Sequence, residues 1–445
     1  MTTIRRIAIA TAAFTLTACE LDLKNPNAPT VDEVTASVDG VIALGTGLQA
    51  RYAESYGNFA YMAGLVTDEF AAVSAALISI SDAEGGSVAP GTGIAENVFN
   101  SVYRTVRTAD EILVNAEQFP PEVEAGTKSG LKALAYTLKA DALGQAVQSY
   151  QRIPIQTFEV TAPTYVPRSE SLPYIRALLD SAVLTLAAQA PSAFFNASIL
   201  TPGVNLTNTI HLFRARYARM MNDDAAAVAA ANLVSRTSLS ALTYPSPSIN
   251  FYTNVTGGAN GIGPRDQFRT SMASGDQRAA YFVVASNTTG RVGSLLDTWA
   301  RYTNPRAPLP VYYPDEALLI KAEALARLNQ LAASQAALDS VRTDCPGGRG
   351  LDDPKACLPA LSDALSQAQL LDEIYRQRRW ELYSTGLRWE DARRRNAVRG
   401  FAVFPNVPTD AQRCWLPYAI GDRNANRNVP ADPPEPSSFP SGCPL

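Results

Sequence analysis

One histidine, His211, stands in the 445 residues. Any Ser-His-Asp or Cys-His catalytic system would have to be built on that side chain alone. It lies near the start of a helical pattern beside Leu212 and Phe213, where capping or packing is its expected role. Long apolar runs are also scarce. Beyond the N-terminus the best candidate is Ala71 to Ile80, half of the roughly 20 residues a spanning helix needs. Positive charge is not in excess: 38 Lys and Arg stand against 42 Asp and Glu, for a formal net charge of -4. A nucleic-acid partner, which needs a basic face, is therefore not expected. No short C-x-x-C pair occurs, which argues against a zinc site, and no residue set calls for a metal or other cofactor. No alternating strand–helix rhythm appears either, which excludes a doubly wound α/β fold.

What is present begins at the N-terminus. Arg5 and Arg6 precede an apolar run, Ile7 to Leu16, that is broken only by threonines. Leu16-Thr17-Ala18-Cys19 then closes it, in the layout of a cleaved secretory signal over residues 1–18. A leucine three before the cysteine and an alanine just before it resemble the bacterial lipobox. The resemblance implies lipidation of Cys19 with palmitate-type acyl chains, whose buried methylenes contribute about 0.8 kcal/mol each to anchoring. The alternative is an ordinary secreted protein with a cysteine near its cleavage site. Residues 19–30 read as a polar tether with Pro26 and Pro29.

Five cysteines occur in all. With Cys19 assigned to lipid, Cys345, Cys357, Cys414 and Cys443 remain, an even number in an exported chain, and disulfides are expected. Three pairings are open. The local one, Cys345–Cys357 with Cys414–Cys443, is preferred because each pair would staple a Pro/Gly-rich loop with little core of its own.

Hydrophobic residues make up 46% of the chain, enough for a sizeable core. Apolar residues recur at helical spacing over Ala95–Phe119, Leu131–Tyr150 and Ser171–Ala190, and Thr30 is placed to cap a helix opening at Val31. Asn208–Met221 with Asp223–Val234, and Pro314–Leu328 with Ser334–Val341, read as helix pairs. Leu370–Tyr383 and Leu387–Arg399 follow. Loop-rich stretches run from Thr243 to Pro310 and from Gly400 to Leu445. The fold class is mostly α, with tetratricopeptide-like helix pairs and long loop-rich insertions, although no strict period of about 34 residues is present. Residues 31–445 read as one unit, with a helical part over 31–240 and a loop-rich part over 241–445.

The most specific string is Arg376-Gln-Arg-Arg-Trp380-Glu381-Leu382-Tyr383-Ser-Thr385-Gly386-Leu387-Arg388-Trp389-Glu390-Asp391-Ala392-Arg393-Arg394. It resembles the C-terminal signature of SusD/RagB-like outer-membrane nutrient-binding lipoproteins. Thr385 stands where that family usually has glutamate, and Ala392 where leucine is common. Asp315–Ala324, Lys139–Ile155, Val166-Pro167-Arg168-Ser169 and Trp415-Leu-Pro-Tyr418 with Asn424 and Asn426 are similar to other family segments and in the same order. The resemblance implies a surface-exposed outer-membrane lipoprotein, lid to a TonB-dependent SusC-type transporter, that captures a glycan and delivers it to the barrel. A RagB-type peptide-binding protein, a surface polysaccharide hydrolase and a periplasmic scaffold are the alternatives.

Within the signature, Arg378 and Glu381, and Arg388 and Asp391, stand three apart and could pair across one helical turn. Trp380 and Trp389 are expected to pack. No enzymatic activity is expected. Hydrolysis of a glycan takes two carboxylates, and the most tempting pair, Asp68-Glu69, consists of neighbours whose side chains point apart. Sugar recognition instead needs an aromatic face flanked by hydrogen-bonding groups. Phe251-Tyr252-Thr253-Asn254 and Trp299-Ala-Arg301-Tyr302-Thr303-Asn304 meet that description. Trp299, Tyr302, Asn304, Phe251 and Tyr252 are therefore the candidate ligand-binding residues, whereas Tyr52, Tyr56, Phe59 and Tyr61 are assigned to the core.

Overall fold

In the computed structural model the described residues are 31–244, 249–252, 261–399 and 413–433. Thr30, Cys19 and its flanking signal and tether, and Cys443 lie outside them. The first long helix is capped by Ser37, whose hydroxyl accepts the Gly40 N–H at 3.1 Å. This helix, α1 (Val38–Val66), follows a short one at Val31–Thr35. It buries Tyr52, Tyr56, Phe59, Met62 and Leu65, so it runs through the interior.

Nine further helices of eight or more residues follow among the described residues: α2 (Gly93–Asn115), α3 (Ala125–Ser149), α4 (Arg168–Ala188), α5 (Leu206–Met220), α6 (Asp224–Ala231), α7 (Asp315–Arg327), α8 (Leu331–Arg342), α9 (Gln367–Glu381) and α10 (Arg388–Arg399). Each packs on its successor from α1 through α8, α9 packs on α7, α8 and α10, and α10 returns to α1. The two expected helix pairs are present. Their turns pass through Asn222 and Asn329, both at φ 58°. Asparagine tolerates this left-handed conformation, which lets a helix end and reverse within a few residues.

Helix α4 departs from the expectation that no later segment is apolar enough to span a bilayer: by length and composition it is. It nevertheless buries Leu172, Ile175, Leu178 and Leu179 on one face, and the other carries charge paired to neighbours. Arg176 reaches Asp223 at 2.7 Å and Asp180 accepts from Arg214 at 2.9 Å.

Among the described residues, four two-stranded antiparallel pairs complete the fold. β1 (Phe70–Ala72) pairs with β5 (Ile262–Pro264), β2 (Arg152–Pro154) with β3 (Tyr165–Pro167), β4 (Ser240–Leu242) with β8 (Leu309–Tyr312), and β6 (Val283–Thr289) with β7 (Leu295–Trp299). Part of the stretch read as loop, namely β5, β6, β7 and the start of β8, is thus strand. Three-residue strands such as Ile262-Gly263-Pro264 carry no readable alternation, and their partners lie far away in sequence. One large core cluster extends from Val41 to Ala419, and a smaller one lies under α7, α8 and α9. Cys345 is bonded to Cys357 with Cα atoms 4.3 Å apart, and Cys414 is also disulfide-bonded.

Asp141, in the middle of α3, ties four helices together. It accepts the Tyr52 hydroxyl of α1 at 2.7 Å, the Tyr217 hydroxyl of α5 at 2.7 Å and Arg216 at 3.1 Å. Arg216 then grips Glu316 of α7 with two hydrogen bonds of 2.7 and 2.8 Å. All of these side chains are buried. Gly144 makes room for the hub, because a Cβ there would fall 1.7 Å from the Tyr217 hydroxyl. Charges taken out of water are tolerated only when fully compensated, and removing one partner of such a pair costs about 3–5 kcal/mol. Arg216→Met should therefore lower the urea midpoint by that much stability, at an unchanged denaturant slope.

Candidate functional site

The signature segment folds into α9, a tight turn and α10. The turn passes through Ser384 at φ 62° and Gly386 at φ 82°. A side chain on Gly386 would run into Phe59 at 2.6 Å, so glycine serves both the left-handed backbone and the close approach to α1. The expected same-helix ion pairs do not form. Arg378 instead crosses to Asp391 on α10 at 2.7 Å, Glu381 accepts from Arg278 at 3.3 Å, and Arg388 lies over the Tyr375 ring at 4.7 Å. Buried charges need several partners, and those on another element can approach from the side that a helix cannot supply to itself. Trp389 donates its indole N–H to the Arg413 carbonyl at 2.8 Å, and Arg393 donates to the carbonyls of Gln148 and Cys414. These residues latch the C-terminal segment to α3.

Three of the five candidate ligand-binding residues are corrected by the structure. Trp299, Tyr252 and Tyr302 are 7%, 0% and 2% exposed. Tyr252 stacks on Tyr302 with centroids 4.5 Å apart, Trp299 lies 5.3 Å from Tyr252, and Phe70 closes the cluster 5.2 Å from Trp299. The Tyr252 hydroxyl donates to the Ser384 carbonyl at 2.5 Å. A ring enclosed in this way offers no face to a ligand; the cluster supports the signature turn from below. Asn304 is exposed, but its side-chain oxygen accepts the Arg306 N–H within its own loop at 2.9 Å. Thr253 and Asn254 lie outside the described residues.

Phe251 has the opposite setting. It is half-buried, packs over Gly57 of α1, where a Cβ would fall 2.6 Å from the ring, and meets Tyr61 edge-on at 5.6 Å. It lines a cleft of about 570 Å³ between α1 and residues 197–202, closed on a third side by Leu242–Tyr244 and Ile249. Gln49 fixes the floor: its amide nitrogen donates to the Ile199 carbonyl at 2.8 Å and its oxygen accepts the Thr201 N–H at 2.7 Å. Tyr244 lines the cleft with its hydroxyl buried and without a hydrogen-bond partner among the described residues, and burial pushes its pKa up. Thr46 and Glu54 provide a polar rim, Ala50, Ala53 and Ile249 an apolar wall. Neither Gln49 nor Tyr244 could be found from sequence, because the one sits in a helix and the other in a loop with no motif around it.

The paired carboxylates of Asp68-Glu69 separate as expected. Asp68 turns at φ 61° to meet Arg265 at 2.9 Å, which also holds Glu84 at 2.7 Å. Glu69 is buried on the side of Arg388 and Arg379, and burial raises its carboxyl to about 7 against the pull of those arginines. His211 is lowered by burial and by Arg214.

Residues 297–413 match the sequence model of the SusD family. No curated protein matches the sequence. Among solved structures, a SusD superfamily protein from Bacteroides fragilis superposes with a TM-score of 0.68 at 17% identity, over 89% of this chain and 99% of that one. B. fragilis NanU gives 0.69 at 13% identity, over 93% and 100%. The surface glycan-binding protein A of Bacteroides uniformis gives 0.66 at 13% identity, over 87% and 99%. At these identities the likeness establishes the fold, which is SusD-like over about nine tenths of the chain.

Glu69 generates a pH signature. Its folded pKa lies above the ordinary 4.5, so the folded chain holds a proton that the unfolded chain releases. Stability therefore falls as pH rises from about 4.5 to about 7, by about 1.4 kcal/mol for each pH unit of that window at most. Glu69→Gln should flatten this part of the stability–pH curve and gain on the parent protein at pH 8 relative to pH 4. Parallel curves for the two proteins would show that Glu69 does not titrate in this window.

Proposed function

Since the chain is SusD/RagB-like, by its fold throughout and by its sequence over residues 297–413, we propose that it is a nutrient-binding lipoprotein of the outer membrane. It is held by acyl chains on Cys19 at the cell surface, takes up a glycan in the Phe251 cleft and hands it to a TonB-dependent SusC-type transporter. The observation that carries this reading is the placement of a half-buried aromatic ring, Phe251, beside the polar rim of Thr46 and Glu54 in one cleft, with the unpartnered Tyr244 hydroxyl buried in its wall. A sugar ring is apolar on its C–H face and polar at its rim, and matches both. The similarity in fold to the surface glycan-binding protein A of B. uniformis favours the same class of ligand.

Binding rather than hydrolysis fits the chemistry of the cleft. Among the described residues lining it, Glu54 is the single carboxylate, and it is engaged by Arg104 at 2.9 Å. A glycosidase needs two carboxylates flanking the scissile bond. A peptide ligand of the RagB type is the second reading, favoured by Ile249, 46% exposed at the cleft.

Titration calorimetry of the full mature chain against neutral oligosaccharides and peptides tests the ligand class. Phe251→Ala should weaken oligosaccharide binding by about ten-fold or more, the loss of one stacking contact and its buried area. Tyr244→Phe should weaken it less, with an unchanged melting temperature. Binding of peptides alone would move the assignment to the second reading, and unchanged glycan affinity in both variants would remove the cleft from it. Cys19→Ala should release the protein from the membrane fraction and abolish its co-purification with a barrel transporter from detergent extracts; retention of the variant in the membrane would overturn the anchor.

A further inference from the structure

A larger cleft than that of Phe251 lies elsewhere, between β2, the start of α4, the α5–α6 turn and α10. It has a volume of about 820 Å³ and shares no lining residue with the Phe251 cleft. Four guanidinium groups line it, those of Arg152, Arg168, Arg327 and Arg394, against one carboxylate, Glu390. Two of the four are spent: Arg168 grips Glu390 at 2.5 Å and Arg394 grips Glu323 at 2.6 Å. The other two keep their donors. Arg152 is exposed and its side chain makes no hydrogen bond among the described residues. The Arg327 side chain, 35% exposed, makes one ion pair among the described residues, with Glu323 at 3.5 Å.

Two more sets of donors converge there. Trp415 is 3% exposed, lines the cleft and has no hydrogen-bond partner for its indole N–H among the described residues. Helix α4, 21 residues long, begins at the cleft wall with Pro167 as its N-cap and no side chain capping its first turn. Its free N–H groups and positive dipole end add to the donor side. The lone acid reports the sign of the field: Glu390, although buried, is held down at about 2 by Arg168, Arg393 and Arg394. Leu172, Pro173 and Met221 supply apolar wall.

A pocket with four guanidinium groups against one carboxylate selects a ligand that is negatively charged and rich in acceptors. Its volume far exceeds a bare anion, and its apolar wall needs a carbon skeleton to cover it. The geometry points to a second binding site on this protein, one that takes a carboxylate-bearing saccharide with its acid group between Arg152 and Arg327. The planar fork of arginine suits a carboxylate in two-point contact. The site is independent of the Phe251 cleft, and its test does not depend on that cleft binding glycan.

Titration of the full mature chain with trigalacturonate and with a glucuronate-containing hyaluronan tetrasaccharide tests it, with inorganic phosphate and a neutral oligosaccharide as controls. At least one of the acidic probes should bind, with affinity falling as salt rises. Arg152→Gln with Arg327→Gln should weaken that binding by about ten-fold or more. Arg152 makes no ion pair among the described residues, and Arg327 sits at the edge of the buried network, 3.5 Å from Glu323, which Arg219 and Arg394 still hold, so the melting temperature should change little. Phe251→Ala should leave acidic-probe binding unchanged, which separates this site from the proposed glycan cleft. No binding of either acidic probe, equal binding by the double variant, or phosphate competing as strongly as the saccharides would each overturn the proposal.

Discussion

The Asp141–Arg216–Glu316 hub is the interaction on which the rest of the structure hangs. It joins α1, α3, α5 and α7, elements drawn from positions 52 to 316, at one buried point. Each member is acceptable in the interior only because the others are present. The helices it joins therefore cannot slide or rotate independently, and the walls they form are fixed with it. Tyr52, in the same hydrogen-bond set, lies on the helix that carries Gln49 and Gly57, the floor and the near side of the Phe251 cleft. The proposed ligand site is thus built on the most constrained element of the molecule.

A second network repeats this logic at the C-terminus. Glu323 of α7 meets Arg219 of α5 and Arg394 of α10, and Asp391 meets Arg378 and Arg394. The arginine-rich signature, which invites a reading as a charged surface helix, is in large part a set of buried clamps. The exception is informative. Where the clamps end, at Arg152 and Arg327, guanidinium groups are left facing a cleft, and this distinction between spent and unspent arginines separates architecture from a binding site.

The aromatic residues show what a sequence can and cannot convey about such a site. Trp299, Tyr302, Tyr252 and Phe251 look alike in the sequence, each in a polar stretch between helices. Three of them fill the space beneath the Ser384–Gly386 turn, and one is left at the surface. Phe251 and Tyr252 are adjacent and their rings meet edge to face at 6.0 Å, yet only Tyr252 is enclosed, so no local property distinguishes the ligand candidate from the core residue. Burial is decided by which distant segment arrives to cover a ring, here β1 with Phe70 and the signature turn with Ser384.

The sequence by itself determined the helical class, the helix pairs turning at Asn222 and near Asn329, and the resemblance carried by Arg376 to Arg394. These are local patterns: apolar spacing, turn residues and a contiguous string. Most of the boundaries read from periodicity lie within a few residues of the observed ones, because periodicity and caps are themselves local, but α3 begins at Ala125 rather than Leu131 and periodicity does not delimit α1. Only the tertiary structure decided that Arg378 pairs with Asp391 rather than Glu381, that the stretch after Thr243 contains strands, and that Gln49 and Tyr244 share a cleft with Phe251. Each of these depends on groups far apart in the chain meeting in a low-dielectric interior, where a charge or ring is defined by its partners and not by its neighbours in sequence.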